Sequence, residues 1–132
     1  MLRKVGHLGI AVKNIEQTLA VLANLFEVPL PPITDVTEKK IKVAVLTLDG
    51  LSLEFLEDYS EAGPFKQMVA QRGNAVHHFC VEVQDIDQAI ESLTSRGIAM
   101  RDAAPKVGVR GKRIAFIDSA ALDGLAVELS EP

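Results

Sequence analysis

Residues 7–20 read HLGIAVKNIEQTLA, and residues 78–91 read HFCVEVQDIDQAIE. Laid over one another at an offset of 71, they share His7/His78, Val12/Val83, Ile15/Ile86 and Gln17/Gln88. A fixed self-similarity of this kind governs the reading of everything around it. Each copy opens on a short apolar run of strand formers. Each then places a short polar residue, Asn14 or Asp85, three positions before a glutamine. That is a helix start, in which the short side chain accepts from a helix N–H and the glutamine reaches back. Ile15, Leu19, Leu22 and Phe26 follow at roughly helical spacing, as do Ile86, Ala89, Ile90 and Leu93. Gly97 suits the left-handed turn that ends the second helix.

The copies continue outward. LSLEFLE (51–57) matches LAVELSE (125–131) at an offset of 74, so the second copy holds three more residues in an intervening loop. Strands are expected over 41–48 and 51–57, joined by Asp49-Gly50, a hairpin signal. Their counterparts are 112–117 and 125–130, with a loop over 119–124 between them. Weaker strands are expected near 32–37 and 99–103. A helix from Pro64 to Arg72, with proline at its first position and Gly73 after it, fits the connecting segment. The expected fold is α+β, one domain over 1–132 made of two tandem β-α-β-β-β modules. Module one covers 1–59, a linker helix segment 60–73, and module two 74–132.

The bulk composition narrows the function classes. The chain has 132 residues, 48% hydrophobic and 24% charged, which suits one folded domain and excludes a disordered one. A net charge of −4, with no dense Lys/Arg block, argues against nucleic acid as a partner. No apolar run approaches the roughly 20 residues that span a bilayer, so no membrane is expected. The absence of a signal-peptide pattern and the single Cys80 point to the cytoplasm.

A repeat preserves apolar residues for packing, but packing does not explain a histidine and a glutamate kept at matching places. His7 and His78 open the two copies, and Glu54 and Glu128 lie inside their last strands. Glu54 stands between Leu53 and Phe55, and Glu128 between Val127 and Leu129, where a buried carboxylate is costly without a partner. Two modules related by a pseudo-two-fold axis would bring the four side chains together, and a divalent ion would be that partner. Two imidazoles and two carboxylates suit Co, Mn, Ni, Zn or Fe without choosing among them. His77 points away from His78 by strand alternation and reads as structural. Cys80 shares His78's side and reads as small core filler.

These residues resemble the vicinal oxygen chelate superfamily and, within it, the methylmalonyl-CoA epimerases. The resemblance is carried by HLGIAVKNIEQTL, by LEFLE, by GNAVHHFCVEVQDIDQAIESLTSRGI with its double histidine, and by PKVGVRGKRIAFID followed by GLAVELSEP. It implies a metal-centred curved mixed sheet, glyoxalase-like, with His7, Glu54, His78 and Glu128 as ligands of one divalent ion (Co, Mn, Zn or Ni). It implies a homodimer acting on an acyl-CoA: epimerisation of methylmalonyl-CoA by 1,1-proton transfer through a metal-stabilised enolate. Glu54 and Glu128 are then the catalytic candidates, with Glu38 and Lys42 weaker ones. Lys106, Arg110, Lys112 and Arg113 form a basic loop, read either as a solvated turn or as contacts to the CoA phosphates.

The sequence departs from the family at two places. Some members carry a glutamate base where Val43 stands, and a common His-Pro pair is replaced by Asp118-Ser119. Three other readings stay open: glyoxalase I, a non-catalytic ligand-sequestering module of the same fold, and a ring-cleaving iron dioxygenase. Retention of all four ligands opposes the second, and the second glutamate opposes the third.

Overall fold

The computed structural model describes residues 4–132. Its elements run twice through strand, helix, strand, strand, strand. The first set is β1 (Val5–Ala11), α1 (Ile15–Phe26), β2 (Thr34–Val36), β3 (Ile41–Leu48) and β4 (Leu51–Asp58). After the connecting α2 (Pro64–Arg72) come β5 (Ala75–Glu82), α3 (Ile86–Ser95), β6 (Lys106–Val107), β7 (Arg113–Phe116) and β8 (Ala126–Ser130). The strands are hydrogen-bonded in the order β2-β3-β4-β1-β5-β8-β7-β6, so each set reads identically inward from its own edge. The sheet is mixed: β5 and β8 run parallel, while β3–β4 and β7–β8 are antiparallel. Among the described residues no helix is long and apolar enough to cross a membrane.

By contacts the chain divides into two compact units. One runs from Gly9 to His77; the other joins the chain up to Leu8 with His78–Pro132. The core of the first is Val12, Ile15, Leu19, Ala44, Leu46 and Phe55, with Leu22 packed against it. The core of the second is Val83, Ile86, Ile90, Leu93, Ala115 and Leu129. At the offset of 71, Val12, Ile15, Leu19, Leu22 and Ala44 map onto Val83, Ile86, Ile90, Leu93 and Ala115; at 74, Phe55 maps onto Leu129. The repeat is thus a repeat of one packing solution, a helix laid on three strands.

The helix starts follow the sequence pattern. Gln17 N donates to Asn14 Oδ1 at 2.9 Å, and Gln88 N to Asp85 Oδ1 at 3.0 Å. A second cap adds to the first. Ile15 N donates to Glu57 Oε1 at 2.8 Å, and Ile86 N to Glu131 Oε2 at 3.0 Å. A glutamate at or just past the end of the last strand of each set therefore satisfies an orphan N–H at the positive end of its own helix. Glu57→Ala and Glu131→Ala are each expected to lower stability by roughly 1–2 kcal/mol, measured as a shift of the urea midpoint at constant slope.

Two differences from expectation have local causes. No strand forms near 99–103; Met100 makes one isolated bridge to Ile117, and the edge strand appears later, as β6. Arg101 N and Asp102 N both bond the carbonyl of Phe116, and Asp102 Oδ2 accepts from Phe116 N at 2.8 Å. Asp102 thus captures the neighbouring strand through its side chain, which turns the segment out of a ladder. The three extra residues lie between β7 and β8. There Asp118 Oδ1 accepts from Ala120 N and starts a 3₁₀ turn over Ser119–Leu122, whereas β3 and β4 need only Asp49-Gly50, with Gly50 at φ 75°.

Candidate metal and substrate site

Strand alternation decides which side chains are available for chemistry. On β8, Leu129 packs into the core under α3, so Glu128 projects from the other face. On β5, Val81 packs toward the same core, so His78 and Cys80 share Glu128's face; Cys80 stands directly opposite Glu128 in the parallel ladder. The start of β1 brings His7 to them. His7 Nε2 lies 3.2 Å from His78 Nε2 and 3.4 Å from Glu128 Oε1, and His78 Nε2 lies 3.8 Å from Glu128 Oε2. His7, His78 and Glu128 are 4%, 2% and 7% exposed.

The spacing fits a shared ion. Donors that each sit about 2.1 Å from a metal, at right angles, are about 3.0 Å apart. The two imidazole nitrogens, 3.2 Å apart and facing different oxygens of the Glu128 carboxylate at 3.4 and 3.8 Å, therefore need a local rearrangement of that carboxylate to ligate one divalent cation together. Cys80 is 1% exposed, and its sulfur belongs with ligand atoms of His7 and Glu128 to a group lying within 4.8 Å of one another. It fills space, as the sequence indicates, but does so against the donors.

Burial, aided by the charges of Arg110 and Lys112, lowers the His7 pKa to about 4. Its imidazole is therefore neutral near pH 7, the form in which histidine binds metals. Arg110 Nη2 donates to His7 Nδ1 at 3.4 Å. The Phe116 ring meets His78 edge-on at 5.5 Å between centroids. The guanidinium of Arg101 lies over Phe116 at 4.2 Å, and Lys106 Nζ at 5.8 Å.

The four cations grouped from the sequence do not stay together. On β7, Ala115 faces α3, and Arg113 shares its parity: its guanidinium pairs with Asp87 of α3 at 2.7 Å and with Glu131 at 3.5 Å. Lys106 and Arg110 lie beside Phe116 and His7, and the charge of Lys112 is felt at His7. Arg113 thus clamps α3, apart from the other three cations, and Arg101 stands with Lys106 over the Phe116 ring. No sequence signal marked Arg101, because its placement depends on the Asp102 turn. Arg113→Ala is expected to loosen the hold on α3 and to lower the urea midpoint slightly.

In the other unit, Glu54 stands on β4 opposite Val45 and is 4% exposed. Phe55 packs under α1, so Glu54 projects away from that helix. Val43 has the parity of Val45 and lies on Glu54's face, buried. A valine there offers no proton acceptor. Lys42 turns the other way, its ammonium 3.2 Å from Glu16 of α1, and Glu38 is exposed in the turn before β3. His77 packs edge-on against Phe65 at 4.6 Å, a structural contact. Asp118 caps the 3₁₀ turn, accepting from Ala120 N at 3.0 Å.

Residues 6–116 match the sequence model of the glyoxalase/bleomycin resistance protein/dioxygenase superfamily. The chain belongs to this superfamily. Among its relatives within it is the mitochondrial methylmalonyl-CoA epimerase of Dictyostelium discoideum, 26% identical over 129 residues, covering 97% of this chain and 78% of that one. The ethylmalonyl-CoA/methylmalonyl-CoA epimerase of Cereibacter sphaeroides is 27% identical over 133 residues, covering 99% of each. The crystal structure of methylmalonyl-CoA epimerase from Mycobacterium tuberculosis superposes with a TM-score of 0.89 at 22% identity, covering 99% of this chain and 89% of that one. The glyoxalase-like fold of this superfamily member accordingly holds over almost the whole chain.

Proposed function

We propose that this superfamily member is a metal-dependent epimerase that inverts the α-carbon of methylmalonyl-CoA by 1,1-proton transfer through an enolate. The observation that carries the reading is the buried convergence of His7 Nε2, His78 Nε2 and the Glu128 carboxylate, with His7 3.2 Å from His78 and the two imidazoles 3.4 and 3.8 Å from its Oε1 and Oε2, in a chain whose relatives are named for this reaction. His7, His78 and Glu128 hold the ion, and Glu54, the repeat counterpart of Glu128, is the fourth ligand. A divalent ion in this set (Co, Mn, Zn or Ni) would supply Lewis acidity that favours the enolate.

The chain's own residues do the remainder. Inversion needs a proton acceptor on one face of the α-carbon and a donor on the other. With valine at position 43, the glutamates take these roles: one of Glu54 and Glu128, as the carboxylate, accepts the α-proton, and the other, starting as the carboxylic acid, gives its proton to the opposite face, so that the two exchange protonation states in each turnover. Lys106, Arg110 and Lys112, joined by Arg101, hold the CoA phosphates as mobile cations. The apolar surroundings, Phe116 among them, keep water from the carbanionic centre.

The test is α-proton exchange of methylmalonyl-CoA in deuterated water, followed by NMR, beside elemental analysis of protein purified without chelators. Wild type is expected to carry about one equivalent of metal and to exchange the proton. Glu54→Gln retains a ligating amide oxygen but cannot accept a proton, so it is expected to keep its metal while exchange falls by about 10²–10⁴. Metal without exchange, together with turnover of a glutathione hemithioacetal, would replace the epimerase by glyoxalase I.

A further inference from the structure

We infer that Phe116 is the specificity-determining residue for the α-substituent of the substrate, the wall that limits how large that group can be. The inference rests on the epimerase reading and adds to it which side chain meets the apolar group on the reacting carbon. In the sheet, Phe116 on β7 stands directly opposite Glu128 on β8, and Glu128 directly opposite Cys80 on β5. Directly opposed residues of an antiparallel pair, such as Phe116 and Glu128, have Cβ atoms about 5 Å apart and share a face. Ala115 packs under α3, so Phe116 takes the other face, where its ring meets His78 edge-on at 5.5 Å. The Glu128 carboxylate is thus flanked by a small side chain, Cys80, and a large apolar one, Phe116.

The ring is held in place. It is 7% exposed, it lies against His78, and the Arg101 guanidinium covers it at 4.2 Å. Arg101 Nη2 is in turn 3.4 Å from Asp102, whose carboxylate accepts from Phe116 N at 2.8 Å. A ring packed in this way yields little to a larger neighbour. The α-carbon of a malonyl thioester carries a hydrogen, a carboxylate, the thioester carbonyl and an alkyl group. With the hydrogen directed at the Glu128 carboxylate, or arriving from it, the other groups splay around that axis. The carboxylate and the thioester are polar, and laying either against a phenyl ring would cost hydrogen bonds. The alkyl group takes the Phe116 side. It stays there as the proton leaves one face and returns to the other, because it lies in the plane of the enolate between them.

α-Proton exchange in deuterated water, followed by NMR over methyl-, ethyl-, propyl- and butylmalonyl-CoA, tests this. Wild type is expected to show a cut-off, a chain length at which kcat/KM falls by about tenfold or more from one homologue to the next. A pocket in contact with the substituent discriminates a single methylene by about 10–200-fold. Phe116→Leu removes about one methylene of volume and is expected to move the cut-off one carbon longer. The first homologue that wild type rejects then gains on the order of tenfold relative to methylmalonyl-CoA. Phe116→Met, closer in volume and flexible, is expected to blunt the same cut-off. Ile117→Val, at the next residue but packed against the core under α3, is expected to leave it in place. Thermal melts check that the variants fold. A cut-off unchanged in both Phe116 variants, an equal shift in Ile117→Val, a uniform loss over the whole series, or equal rates along the wild-type series would overturn the inference. Exchange of none of these thioesters by wild type would overturn the epimerase reading, and this inference with it.

Discussion

Glu128→Ala is expected to lose divalent metal by more than a hundredfold in affinity and α-proton exchange by about a thousandfold or more, with the fold retained. Losing an outer-sphere partner of a ligand already costs roughly 10–100-fold in metal affinity, and Glu128 is a direct donor in the proposed set. It is also one of two groups able to carry a proton, a role worth about 10²–10⁴ in rate. Its side chain touches both histidines, at 3.4 and 3.8 Å, so no neighbour among the three can take over its position. Chelator competition and NMR exchange measure the two losses, and far-UV circular dichroism with a cooperative melt checks the fold. Retention of metal at wild-type affinity would remove Glu128 from the ligand set. Loss of metal with full exchange would separate the chemistry from the metal.

The second large effect is on stability in acid. In the metal-free protein His7 titrates near 4, against 6.5 in an unfolded chain, because burial and then Arg110 and Lys112 disfavour the imidazolium. Between those values the unfolded chain holds a proton that the folded one does not. Stability therefore falls as pH drops from about 6.5 to about 4, by about 3 kcal/mol from this group alone, and changes no further below that. Asp102 acts in a separate and lower window. Burial raises its pKa, but the hydrogen bond from Phe116 N, with Arg101 and Lys106, brings it below the ordinary value of 3.8. Its contribution is therefore lost only in stronger acid. Urea midpoints of metal-free wild type and His7→Asn, taken from pH 7 to pH 4, isolate the histidine: the variant is expected to show a flatter dependence. Parallel curves would place the acid sensitivity elsewhere.

Much of this molecule is legible as a pattern. Val12, Ile15, Leu19 and Ala44 recur as Val83, Ile86, Ile90 and Ala115 in the second core, so the offset of 71 that aligns letters also aligns packing. Alternation within LSLEFLE and LAVELSE puts Phe55 and Leu129 under the helices, and so turns Glu54 and Glu128 to the other face. Glu57 and Glu131 carry a second signal in the same alignment. It went unread because an acid at a strand's end is ordinarily solvated, and only the arrangement in space shows it reaching the first N–H of a helix.

Periodicity and self-similarity are local quantities, and they specified the two β-α-β-β-β sets, the helix starts and the face on which each histidine and glutamate stands. Contacts between residues far apart along the chain belong to the folded state alone. Arg113 is three positions from Arg110, yet strand parity sends it to Asp87 and Glu131 while Arg110 reaches His7, 103 residues away. Arg101 comes over Phe116 because Asp102 captures the Phe116 N–H and bends the chain. The depressed pKa of His7 likewise arises from burial and from two cations on a distant turn. Side-chain direction is written into each strand, but the partner at the end of each direction is fixed only when the strands pack.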